Sequence, residues 1–172
     1  MTQFHNPPAL SPVRQTLGLL AWLALSFLTA YIGAVASITA PTFYGQLVQP
    51  AWAPPAWLFG PVWTTLFIMM GIAAWLVWRR GGFGAQRAPL LLFLAQLVFN
   101  GLWSWLFFAW HLGGWALADI AILWLLIAAT IAAFRRTSPV AALLLVPYIA
   151  WVSFAGALNY TLWQLNPQIL GG

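Results

Sequence analysis

The sequence predicts an all-α integral membrane protein, a bundle of five transmembrane helices. Three observations predict it. Of 172 residues, 63% are hydrophobic and only 4% charged, whereas a soluble domain carries about 25% charged residues; the exterior must therefore face lipid. The apolar residues fall into runs of the roughly 20 residues that a bilayer-crossing helix requires. The six basic residues are all arginines, and they are confined to the polar tail and short connections that separate those runs.

Residues 1–16 are polar and proline-containing, with Arg14 last before the first apolar run; they read as a cytoplasmic N-terminal tail. The first span covers about 17–40. Ala34-Val35-Ala36 looks like a processing site, but this run exceeds the roughly 7–15 apolar residues of a signal peptide, so it reads as a span. Residues 41–55 hold Pro41, Pro50, Pro54 and Pro55. Proline lacks a backbone donor and restricts its predecessor, so no regular helix is expected to run through them. This long connection reads as a lid or binding loop. The second span is about 56–78, followed by Arg79, Arg80, a glycine cluster and Arg87. The third is about 88–110, closed by a turn at His111-Leu112-Gly113-Gly114. The fourth is about 115–134, closed by Arg135 and Arg136, and the fifth about 140–163. The five-helix unit thus extends over 17–166, and 167–172 form a polar C-terminal tail.

With alternating spans, all six arginines fall on one side. The positive-inside rule assigns that side to the cytoplasm. The sequence therefore reads as a multi-pass protein of a bacterial cytoplasmic membrane, N-terminus inside, C-terminus and the 41–55 loop outside. The net charge of +5 is a topology signal, and no nucleic-acid partner is expected. Cysteine is absent, which excludes disulfides and thiolate metal sites. His5 and His111 stand apart without a carboxylate cluster, so no metal site is expected.

Thirteen tryptophans are the most unusual feature. Trp52, Trp57, Trp110, Trp115, Trp163, Trp75 and Trp78 map to the two membrane boundaries, where aromatic belts lie. Trp63, Trp103, Trp105, Trp124 and Trp151 fall deeper. Gln96 and Asn100 sit four residues apart on one face of the third span, Asn100 roughly 18 Å from its inner end. The pair reads equally well as helix–helix glue or as ligand contact. On the fifth span Tyr148, Trp151, Ala155 and Leu158 recur at helical spacing, with Ala155 and Gly156 leaving either a groove or close packing. Asp119, the only acid, lies one turn into the fourth span; His111 is its expected neighbour, and a structural network is its expected role. No nucleotide-binding, hydrolase or metalloprotease motif occurs, and no resident cofactor is expected. The cholesterol pattern of the last helix fails, because nothing basic follows Tyr148 or Tyr160.

The run from Pro50 through Trp52, Pro54, Pro55, Trp57 and Phe59 to Trp63 resembles the PxWxPPxWxFxxxW signature of the tryptophan-rich sensory protein / translocator protein family. Similar stretches follow in order: Met70 to Trp78; Gln96, Asn100 and Trp103; Trp115 to Asp119; and Pro147 to Trp163. The resemblance covers about 17–166. It implies a five-helix bundle whose cavity opens toward the first loop, porphyrin ligands such as protoporphyrin IX, and in animal relatives cholesterol and benzodiazepine-site drugs. By position, the resemblance implies a binding set of Tyr44, Trp52, Trp63, Phe67, Gln96, Asn100, Trp103, Trp151 and Ala155. It also implies that Trp63 and Trp151 act catalytically if bound porphyrin is degraded in light and oxygen, and that the chain forms a homodimer, for which no strong GxxxG marks an interface. The sequence departs from the family at Phe67, where tyrosine is usual, and at Phe43, where tryptophan is usual.

The residues and the resemblance together point to a receptor- or transporter-like protein for porphyrins or other planar apolar ligands, regulatory or transporting in tetrapyrrole metabolism and stress response. The alternatives are an enzyme that photo-oxidises bound porphyrin and a purely structural scaffold.

Overall fold

Ser11 and Pro12 start the first helix earlier than the apolar run alone predicts. In the computed structural model, which describes residues 11–171, α1 spans Pro12–Ala36. The Ser11 side chain accepts from the Arg14 N–H at 3.4 Å, and Pro12 occupies the first turn, where its missing donor costs nothing. Most of the expected N-terminal tail, with His5, lies outside the described residues. A short helix α2 (Ala40–Gln46) follows, then a 3₁₀ turn (Ala56–Leu58) leading into α3 (Phe59–Trp78). Next come α4 (Gly82–Ser104) with a π-helical extension (Trp105–Ala109), α5 (Gly113–Thr137), α6 (Pro139–Leu144), α7 (Val146–Leu165) and α8 (Pro167–Leu170). No strand occurs among the described residues. Five helical segments are long and apolar enough to cross a membrane: Pro12–Ala36, Ala56–Trp78, Gly82–Ala109, Gly113–Thr137 and Pro139–Leu165. Their outward faces carry exposed Leu17, Tyr31, Val98, Leu125 and Leu143, as a lipid-facing surface requires.

Three features correct the reading of the sequence. Helix α2 forms inside the proline-rich connection because Pro41 stands in its first turn, a position that tolerates proline. The last span is two helices, broken at Leu145, because Pro147 cannot donate to the Leu143 carbonyl. The C-terminal segment is not a free polar tail: α8 docks Leu170, fully buried, over Gly113.

Antiparallel packing sets two ends. At one end the Trp75 indole N–H donates to the Gln15 carbonyl at 2.9 Å, and the Thr137 hydroxyl donates to Gln86 Oε1 at 2.8 Å. All six arginines are exposed there. At the other end lie α2, the loop to Pro55, the His111 turn and α8. Between them, α1 and α3 approach through glycine. A Cβ on Gly71 would lie 2.8 Å from Leu23 Cδ2 and 3.1 Å from Leu23 Cα. Gly71→Leu is therefore expected to pry α1 from α3 and to destabilise the protein by about 2–3 kcal/mol, an overpacking cost. Thermal melting in detergent checks this, because a lipid-facing control such as Val98→Leu should melt like the parent.

Candidate ligand-binding site

Above the Leu23–Gly71 contact a cavity of about 390 Å³ opens between α1, α3 and α4, beneath α2. Small residues of α1, namely Ala30, Gly33 and Ala34, form one wall with its C-cap Ser37, and Phe27 lies beside them. Their three- and four-residue spacing puts them on one helix face. Opposite them, α3 presents Phe59, Trp63 and Phe67, and α4 presents Asn100, Trp103 and Ser104. Tyr44 and Pro41 of α2 roof it.

The aromatic rings brace each other. Trp63 lies 5.6 Å from Phe67 and meets Tyr148 edge-on at 6.2 Å. Trp103 stacks on Phe107 at 5.5 Å and 15°, and meets Phe108 edge-on at 5.6 Å. The π-helical turn fixes this cluster: the Trp110 N–H donates to the Trp105 carbonyl at 2.8 Å, five residues back, which re-aims Phe107 inward and Phe108 onto the cavity. Pre-locked rings make a rigid wall for a flat ligand.

Among the described residues no charged side chain lines the cavity. Its polar groups are mostly committed elsewhere. The Trp103 indole N–H donates to Asn159 Oδ1 at 3.1 Å, and Asn159 donates to the Gly113 carbonyl at 2.9 Å. Asn100 donates to the Tyr148 hydroxyl at 3.0 Å, which leaves its own carbonyl oxygen for the cavity. Tyr148 donates onward to Gln96 Oε1 at 2.7 Å. The Ser37 and Thr64 hydroxyls donate to the Gly33 and Gly60 carbonyls, as isolated hydroxyls in apolar helices do. Tyr44, 6% exposed, donates to the Pro54 carbonyl at 3.1 Å. Burial pushes its phenol above the ordinary tyrosine value, so it stays a donor throughout the neutral range.

Of the nine residues expected to bind ligand, the structure brings Tyr44, Trp63, Phe67, Asn100 and Trp103 together on the cavity. Four stand off it. Gln96 is 1% exposed and serves as glue between α4 and α7 through Tyr148. Ala155 is buried in close packing, and its neighbour Gly156 would place a Cβ 3.1 Å from Ile120, so no groove forms there. Trp52 is 49% exposed and touches Phe154 edge-on at 5.8 Å. Trp151 lies across Phe59 from the cavity, 5.9 Å ring to ring, and lines a separate surface groove between α3 and α7 with Pro61, Met69 and Phe154. Trp63 and Trp151 therefore face different spaces. Trp124 turns outward, its N–H donating to Ser153 at 2.9 Å. His111 stacks on Phe43 at 4.2 Å, and neither carboxylate oxygen of the buried Asp119 has a hydrogen-bond partner among the described residues, so no His111–Asp119 network forms.

Sequence comparison agrees with this architecture. The TspO/MBR family profile matches residues 9–164. The chain belongs to the TspO/MBR family. It is 48% identical over 129 residues to a tryptophan-rich protein TspO of Chlorobaculum tepidum, covering 73% of this chain and 80% of the relative. It is 44% identical over 126 residues to a translocator protein of Bos taurus, covering 72% and 75%. It is 38% identical over 148 residues to a tryptophan-rich sensory protein of Cereibacter sphaeroides, covering 84% and 91%. As a TspO/MBR member with five apolar spans it is a multi-pass membrane protein. The α1 wall of its cavity, Ser104 and Phe108 are not among the binding residues expected from sequence, and Phe59 enters there only as part of the signature. Small residues carry no chemical flag, and only their shared face at 30, 33, 34 and 37 hints at a role.

Proposed function

We propose that the protein binds protoporphyrin IX or a related tetrapyrrole in the α1–α3–α4 cavity and acts as a receptor or translocator for it. The observation that carries this reading is the slot itself, with braced indole and phenyl rings on one side, small residues on the other and no charge within. Such walls favour a planar, largely apolar molecule. A volume of about 390 Å³ lies near the lower end for small-molecule sites, so a tetrapyrrole would fill it and carry its carboxylate edge to the mouth. The names of the relatives, translocator and sensory proteins, agree with carriage or sensing of a ligand. Confinement of the arginines to one end supports a cytoplasmic N-terminus and a cavity mouth on the opposite side.

Titrating protoporphyrin IX into the purified protein tests the proposal. Saturable quenching of tryptophan emission, with one site per chain, is expected. A linear response matching empty detergent micelles would contradict it. Light-driven oxidation is a separable activity: its two candidate tryptophans are divided by Phe59, so Trp151→Phe is expected to leave binding within about twofold.

A further inference from the structure

Thr137, at the end of α5, donates to Gln86 at the start of α4, at 2.8 Å. Arg87 adjoins one partner of that clasp, and Arg136 and Arg135 precede the other. Phe93 and Phe134, stacked at 6.0 Å just inside, hold the two helices at this separation. Three exposed arginines therefore stand next to one clasp between α4 and α5.

No acidic side chain among the described residues neutralises them. Asp119 is the only acid, and Arg135 lies about 24 Å further along the same helix. Arg87 follows the kink at Gln86 (φ −118°, ψ 30°), and the first turn of α4 holds no acid that could pair with it. The other arginine group differs. Arg79 already lies over the Trp75 ring at 4.7 Å, and that ring is itself tied to α1.

What lies below this α4–α5 corner bears on which anion would suit it. On α4, Arg87 shares a helix face with Leu91 and Val98, which are 48% and 67% exposed. On α5, Arg136 stands above Leu125, 64% exposed. The cations thus cap apolar tracks that face the bilayer. A soluble phosphate would use only the cations; a phospholipid uses both.

We propose that Arg87, Arg135 and Arg136 form a binding site for the headgroup of an anionic phospholipid, whose acyl chains lie along the exposed faces of α4 and α5. The site is separate from the aromatic cavity and stands whether or not porphyrin binds there.

Native mass spectrometry of the full chain, with dioleoyl phosphatidylglycerol or dioleoyl phosphatidylcholine added to the detergent, tests this. About tenfold stronger retention of phosphatidylglycerol is expected. The variant R87Q/R135Q/R136Q should lose that preference to within about twofold, while R14Q/R79Q/R80Q should keep it. Thr137→Val, which retains every arginine, covers the case in which the triple variant misfolds, and should lower the preference at least threefold. Equal retention of both lipids, equal loss in the two triple variants, or an undiminished preference in Thr137→Val would overturn the site. Displacement by millimolar inorganic phosphate would likewise overturn a lipid occupant, as would a second copy of the chain that excludes phosphatidylglycerol from this face.

Discussion

Ala30→Phe is expected to weaken protoporphyrin IX binding at least about 100-fold, roughly 3 kcal/mol, while leaving the fold intact. Ala30 lines the cavity from α1, opposite the ring-bearing α3 and α4. A phenyl group there enters the space a planar ligand would occupy. Ala30 lines that space, so a phenyl group has room there that a side chain at Gly71, 2.8 Å from Leu23 Cδ2, lacks. Emission titration and thermal melting, run on the same sample, separate the two effects. An unchanged affinity with an unchanged melt would mean that the ligand binds elsewhere. A lowered melt with residual binding would instead point to a collapsed α1–α3 contact.

Asn166→Ala is expected to speed ligand dissociation about 30-fold, equivalent to losing about 2 kcal/mol of loop anchoring. Asn166 closes α7 and clasps the loop that follows α2, the roof of the cavity: its Oδ1 accepts from the Val48 N–H at 2.8 Å, and its Nδ2 donates to the Val48 and Leu162 carbonyls, each at 2.9 Å. Val48 is 60% exposed, so water recovers part of the loss there, which limits the effect. Tyr44 and Gln49 hold the same segment from within, through Pro54 and the Tyr44 carbonyl. Stopped-flow dissociation of bound protoporphyrin IX measures the change. A rate equal to that of the parent would show that the loop does not gate exit.

The five spans were legible because lipid imposes a simple rule: about 20 apolar residues with every backbone group satisfied internally. The smaller elements were not. Pro41 looks like a helix breaker in sequence, yet at a first helical turn it is harmless, and α2 accommodates it. The break at Leu145 came from Pro147, which lay inside an otherwise continuous apolar run. The site was half legible for a related reason. Aromatic and amide side chains announce themselves, and Trp63, Trp103 and Asn100 reached the cavity. Whether such a residue faces a neighbouring helix or a void depends on rotation about the helix axis, which sequence does not display. Gln96, one turn from Asn100, points to Tyr148 instead. The small-residue wall of α1 leaves only its spacing as a trace, and the long-range Asn166–Val48 clasp leaves none.

A structure of the protein with protoporphyrin IX bound tests the central claim most directly. The macrocycle should lie against Trp63 and Trp103, beneath Tyr44, with its carboxylates toward the loop 41–55. A macrocycle seated instead in the outer groove of Pro61, Met69, Trp151 and Phe154, with the space beside Ala30 empty, would contradict it.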